Sequence, residues 1–149
     1  MHDDPDKKFY IPDNVYIIGT MNDIDRSVDT FDFAMRRRFR FIELKADDRV
    51  EMLDDLGDDT LKDEAIVRMG NLNKAIAETE DLNENYQIGA SYFLKLKKIT
   101  FEQLWTDYLE PLLLDYVQGM YDENAIMSKF KAAYNNNNAD AGNDDEDQG

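Results

Sequence analysis

Residues 9–44 read FYIPDNVYIIGTMNDIDRSVDTFDFAMRRRFRFIEL. Within them a continuous apolar run, Val15, Tyr16, Ile17 and Ile18, leads straight into Gly19, Thr20, Met21 and Asn22. The lack of polar alternation predicts a strand buried on both faces, as in a parallel sheet, launched by a turn at Pro12, Asp13 and Asn14. Ser27 or Asp29 supplies the cap of a short helix that sets Val28, Phe31, Ala34 and Met35 on one side. Arg36, Arg37 and Arg38 end that helix. Alternation returns over 38–44, with Phe39 and Phe41 on one face, and predicts a second strand.

From 46 onward the period is helical. Asp47 or Asp48 opens a helix carrying Val50, Leu53 and Leu56, stopped by Gly57. Thr60 is placed to cap a longer one with Leu61, Ala65, Met69, Leu72 and Ile76 at spacings of three and four. Thr100 and Gln103 have the spacing of a capping box, ahead of Leu104, Trp105, Tyr108 and Leu112. Pro111 is expected to kink or break that helix, because its ring clashes with the carbonyl of Asp107. A last helix, capped by Asp122, aligns Ile126, Phe130 and Tyr134. Aromatic residues at such spacing are core. Tyr86 to Phe93 has no clear period and reads as a loop entering a short turn, and from Asn135 the chain is polar and acidic, the composition of a disordered tail.

Composition narrows the functional classes. A chain of 149 residues, 42% hydrophobic, supports one packed unit. Zero cysteines exclude disulfides and thiolate zinc sites, and the single histidine, His2, leaves no imidazole cluster. With no apolar run of membrane length and no signal-peptide pattern at the N-terminus, the expected location is cytoplasmic, with no membrane contact. A net charge of -16 opposes nonspecific binding to a phosphate backbone. The positive charge is local, at Arg26, Arg36, Arg37, Arg38 and Arg40, and Asp29, Asp32, Asp47 and Asp48 around it argue against a DNA-binding face.

Asn22 falls where a buried strand would reach its carboxyl edge, the place where open α/β sheets meet ligands, although an Asn there also serves a plain turn. Arg36, Arg37 and Arg38 complement the helix dipole, each worth about 0.3–1 kcal/mol. One arginine would suffice for that. Successive helical side chains diverge by about 100°, so the three cannot all reach one phosphate.

GTMN at 19–22, DRS at 25–27 and RRRF at 36–39, at their mutual spacing, resemble the second half of an AAA+ nucleotide-hydrolysing core. More specifically, they resemble the McrB-type GTPase motor subunits of modification-dependent restriction systems. Residues 86–93, YQIGASYF, are similar to the IGHSYF element with which lids of that family face the nucleotide, Ala90 standing in place of the histidine. The resemblance implies that Asn22 is sensor 1, orienting the attacking water, and that Arg38 and Arg37 are trans-acting finger residues, with Arg36 left for salt bridging. It implies weaker nucleotide contacts from Asp25, Gly89 and Ser91. Asn22 and Asp25 also resemble the guanine-reading N-x-x-D element of small GTPases, but one Asn cannot touch both γ-phosphate and base. Sensor 1 is the preferred assignment, and Asp25 is then a turn acceptor or a partner of Arg26.

The resemblance further implies a homo-hexamer using GTP or ATP with Mg²⁺, coupled to a nuclease subunit, with DNA held by other parts of the parent. The sequence contains no G-x-x-x-x-G-K-[ST] loop and no apolar strand ending in paired acids. It is therefore expected to be a C-terminal piece that is inactive by itself and holds no nucleotide tightly. The expected fold is mainly α with a small α/β remnant: leader 1–8, two strands and finger helix over 9–45, helical lid over 46–134, tail 135–149. In such a core another strand separates the two predicted here, so they should leave a gap, pair otherwise or recruit another copy, and 47–134 should form the ordered core. The alternative from a different class is a stand-alone acidic interaction or regulatory module with no nucleotide chemistry.

Overall fold

The computed structural model describes residues 11–20, 34 and 37–135. The leader 1–8, the finger-helix stretch around Ser27 to Met35 apart from Ala34, and the tail beyond Asn135 lie outside the described residues.

Residues 47–135 form a single helical body. It opens with a 3₁₀ helix, Val50–Leu56, that buries Leu53. Gly57 stops it in the left-handed region at φ 73, its N–H donating to the Asp54 carbonyl at 3.2 Å. Helix α1, Asp59–Ala77, is capped by Asp58, whose carboxylate accepts the N–H of Leu61 at 3.0 Å. The cap is thus Asp58 and not Thr60. Both residue types can cap, and the left-handed glycine next door decides where the chain turns in. Ala65, Met69, Leu72 and Ile76 are buried as their spacing requires.

A 3₁₀ turn, Glu84–Tyr86, and a four-residue helix α2, Ala90–Phe93, come next, the latter continuing into the 3₁₀ stretch Leu94–Lys97. Helix α3, Phe101–Leu104, carries the anticipated capping box: Thr100 Oγ1 accepts the Gln103 N–H at 3.2 Å and Gln103 Oε1 accepts the Thr100 N–H at 3.0 Å. Beyond it a π-helical turn, Trp105–Leu109, leads into α4, Glu110–Val117.

That turn is how the chain accommodates Pro111. Proline has no N–H to donate and its ring crowds the carbonyl four residues back; widening the preceding turn relieves both problems without ending the helix. The extra residue also moves the buried stripe. Leu104 and Leu109 are five apart and both at 0% exposure, and Leu113 and Val117 continue the row. Regular spacing would have buried Tyr108, which is instead 39% exposed under the Lys95 ammonium, 4.2 Å from its ring centroid. Helix α5, Glu123–Tyr134, begins after Asp122 as expected, but that residue sits at φ 64 and makes no side-chain cap; Glu123 instead accepts the Gly119 N–H at 2.6 Å.

α1 packs along α5, and Tyr134 is the centre of the joint. Its ring lies 5.2 Å from Trp105 and 6.3 Å from Phe93, and its hydroxyl donates to the Phe101 carbonyl at 2.8 Å. Arg68 of α1 covers this cluster, its guanidinium 4.4 Å from the Phe101 centroid and 5.3 Å from that of Tyr134. The same group donates to Glu64 at 2.6 Å and to the Tyr134 carbonyl at 3.3 Å, satisfying an orphan acceptor at the end of α5. Gly70 sits exposed in mid-α1, and a Cβ there would meet nothing within 4 Å. Gly70→Ala is expected to raise stability by about 0.5–1 kcal/mol, read as a higher urea midpoint with unchanged m-value.

Alkali should weaken this body. Burial, then the neighbouring Tyr92 and Tyr86, push the Tyr116 phenol up to about 12, and burial pushes Tyr134 upward against the opposing Arg68 charge. Both phenols are favoured in the neutral form when folded. Their contribution is complete below the ordinary value of 10.0 and is lost as pH rises through the raised values. The urea midpoint is expected to fall from pH 10 to 12, and Tyr116→Phe should flatten that decline.

Neither predicted strand forms among the described residues. Over 15–18, Tyr16 and Ile18 are 87% and 92% exposed, and over 39–44 Ile42 and Leu44 are 71% and 73% exposed. A strand is a paired object, and no described neighbour offers its backbone to either segment. The α/β remnant is therefore not present as a sheet among the described residues, whereas the mainly helical character of the rest is as expected. No helix among the described residues is long and apolar enough to cross a membrane.

Candidate functional site

Two places hold the residues that the sequence singles out. The first is the loop between the Glu84–Tyr86 turn and α2. Its anchor is Asn73 of α1, which is 8% exposed among Met69, Leu72 and Ile76. Asn73 Nδ2 donates to the Ile88 carbonyl at 2.9 Å, and the Ile88 N–H donates to Asn73 Oδ1 at 2.7 Å. One amide side chain thus pairs both backbone groups of Ile88, as a neighbouring strand would. Gln87 Nε2 adds a bond to the Asn73 carbonyl at 3.4 Å. Ile88 itself is 1% exposed, so its backbone depends on these bonds.

Immediately after this clip the chain turns outward. Gly89 is half-buried and Ser91 exposed, while Ala90 and Phe93 face inward. Gly89 has φ -81 and ψ 159, which any residue adopts, and a Cβ there would meet nothing within 4 Å. The helical body itself therefore does not require glycine at 89. Tyr86 stands edge-on to Tyr116 of α4, centroids 5.0 Å apart, and braces the loop from the other side. Sequence reasoning missed Asn73. The available signal was a polar amide at core spacing between Met69 and Ile76, which has to find a partner.

The second place is the turn at Arg37 and Arg38, with Ala34 helical before it. Both arginines are exposed, and neither makes an ion pair with another described residue. Asn22 and Asp25 lie outside the described residues. No hydrogen bond joins the arginine turn to Gly89 or Ser91, but Lys45 approaches Glu84 at 3.6 Å, so the segment after the arginines ends beside the loop. That pair is well exposed and worth little energetically.

A groove of about 310 Å³ lined by Thr79, Glu80, Asp81, Met120, Tyr121, Ile126 and Lys129 includes none of these residues. Among the described residues no group of three or more His, Asp or Glu side chains is arranged to hold a metal ion.

Comparison with known proteins agrees with this architecture. Residues 64–125 match the family model of the McrB α-helical lid domain. The chain is 37% identical over 94 residues to the type IV methyl-directed restriction enzyme EcoKMcrB subunit of Escherichia coli (strain K12), covering 59% of this chain and 20% of that protein. The chain thus spans about a fifth of that relative's length. No solved structure matches it significantly. The helical body that Arg68, Asn73 and Tyr134 hold together is thus similar, over 64–125, to the McrB α-helical lid domain.

Proposed function

We propose that this chain supplies the lid, and through 9–45 the second half of the α/β core, of an AAA+ nucleoside triphosphatase that powers modification-dependent DNA restriction. The lid match over 64–125 carries this assignment. The parent hydrolyses GTP or ATP with Mg²⁺ as a homo-hexamer, works with a separate nuclease subunit and holds DNA through other parts. The exposed apolar side chains of Ile17, Ile18, Ile42 and Leu44 support the core assignment, because a cluster of exposed apolar side chains marks a contact surface. In the parent these two segments pair as strands with the rest of the sheet.

In that assembly Asn22 orients the attacking water, and Arg38 and Arg37 reach the neighbouring subunit's nucleotide. Their exposure, without an ion pair to any described residue, supports that role. Gly89 and Ser91 face the nucleotide from the lid side, with Asp25 a further contact. Phosphate cradling and the metal come from outside this sequence, which has no phosphate loop.

Calorimetry separates this assignment from a self-sufficient binder. The 149-residue chain titrated with GTP or ATP plus Mg²⁺ should show no micromolar binding, while the intact protein carrying this lid should bind and hydrolyse one of them. Micromolar binding by the chain alone, or absence of hydrolysis in the intact hexamer, would refute the proposal.

A further inference from the structure

We infer that Asn73 is a positioning residue for nucleotide recognition, holding the loop that presents Gly89 and Ser91 without touching the ligand itself. The inference rests on the nucleotide-facing assignment of that loop. Asn73 pairs both backbone groups of Ile88, at 2.9 and 2.7 Å, from a buried position on the longest helix of the body. The residue it fixes immediately precedes Gly89, so the direction in which the loop leaves the core is set at that peptide. Gly89 then has an ordinary φ and open space where a Cβ would stand. The glycine serves nothing inside the lid, which fits close approach by something outside it.

The clip acts by preorganisation. A loop that adopts its binding conformation only part of the time weakens apparent affinity by that fraction, and leaves the chemical step untouched once ligand is bound. Loss of both hydrogen bonds leaves the Ile88 N–H and carbonyl buried without partners, which drives the loop away from the core to find water. If the loop then keeps its clipped form about a tenth of the time, apparent Kd and KM rise about tenfold.

The test uses the intact nucleoside triphosphatase with GTP and ATP as probes. Asn73→Ala should raise KM about tenfold with kcat held within about twofold, and hydrogen exchange should quicken at 86–91 while α1 and α5 keep their protection. Should Asn73→Ala fail to fold, Asn73→Ser keeps a small hydroxyl that can donate or accept, places no charge beside the Ile88 carbonyl, and should raise KM by a similar or smaller factor. Unchanged KM despite faster exchange at 86–91 overturns the inference, as does a fall in kcat with KM constant. Gly89→Val and Ser91→Ala, measured alongside, locate the failure. If they raise KM and the Asn73 variants do not, only the positioning role is lost. If they too leave KM unchanged, the nucleotide-facing assignment fails and the inference falls with it.

Discussion

Arg38→Ala, and separately Arg37→Ala, in the full-length protein should, if the proposed finger assignment holds, leave nucleotide affinity near normal and lower hydrolysis by roughly 10³-fold or more for the residue that acts as finger, the scale known for arginines supplied in trans. An arginine finger neutralises charge that develops only as the phosphoryl group transfers, so the ground-state complex would hardly feel its loss. Action across a subunit boundary adds a mixing test. Combining the finger variant with a phosphate-loop variant should restore part of the activity, because some interfaces then join an intact pocket to an intact finger. An arginine serving only the fold predicts a lower melting temperature, near-normal turnover and no rescue on mixing. That result for both residues would return Arg37 and Arg38 to helix-dipole complements.

Tyr134→Ala is expected to cost about 3–5 kcal/mol, in line with truncation of large buried aromatic side chains. The ring at 1% exposure contacts Phe93, Phe101 and Trp105 and is covered by Arg68, so removing it opens a cavity where α1, α3 and α5 meet. Domains of this size have on the order of 5–15 kcal/mol in total, so most of the lid's stability would go. Tyr134→Phe isolates the hydroxyl. It should cost only about 0.5–1.5 kcal/mol, the scale of a single hydrogen bond such as the one to the Phe101 carbonyl. Urea denaturation of the 149-residue chain reads both values, and a loss below about 1.5 kcal/mol for the alanine variant would show that Tyr134 is peripheral to the core.

Stops, caps and apolar stripes were legible where they depend on neighbours in sequence. Gly57 ends its helix in a conformation that glycine adopts without penalty, Thr100 and Gln103 cap each other three residues apart, and the rows through Met69 and Phe130 bury because helical geometry puts those side chains on one face. The family likeness was legible too, in the loop motif and in the lid that matches over 64–125. The arginine turn could be named from the sequence, but that both guanidiniums stand exposed without an ion pair to a described residue required the structure.

What the sequence by itself determined is therefore part of the local code: the Gly57 stop, the Thr100–Gln103 cap and most inward-facing positions, while the helix starts read at Asp47 or Asp48, Thr60 and Asp122 are made otherwise. Tertiary structure decided three things. Pro111 could have broken its helix, and only packing of the residues on both sides against one core made a π-helical turn preferable, moving burial from Tyr108 to Leu109. Asn73 gained meaning only when Ile88, fifteen residues away, was brought to its amide. The apolar runs at 15–18 and 39–44 have strand-forming side chains but form no strand among the described residues, because helix hydrogen bonds close within one segment, whereas a sheet exists only when a second segment supplies the other half of every bond.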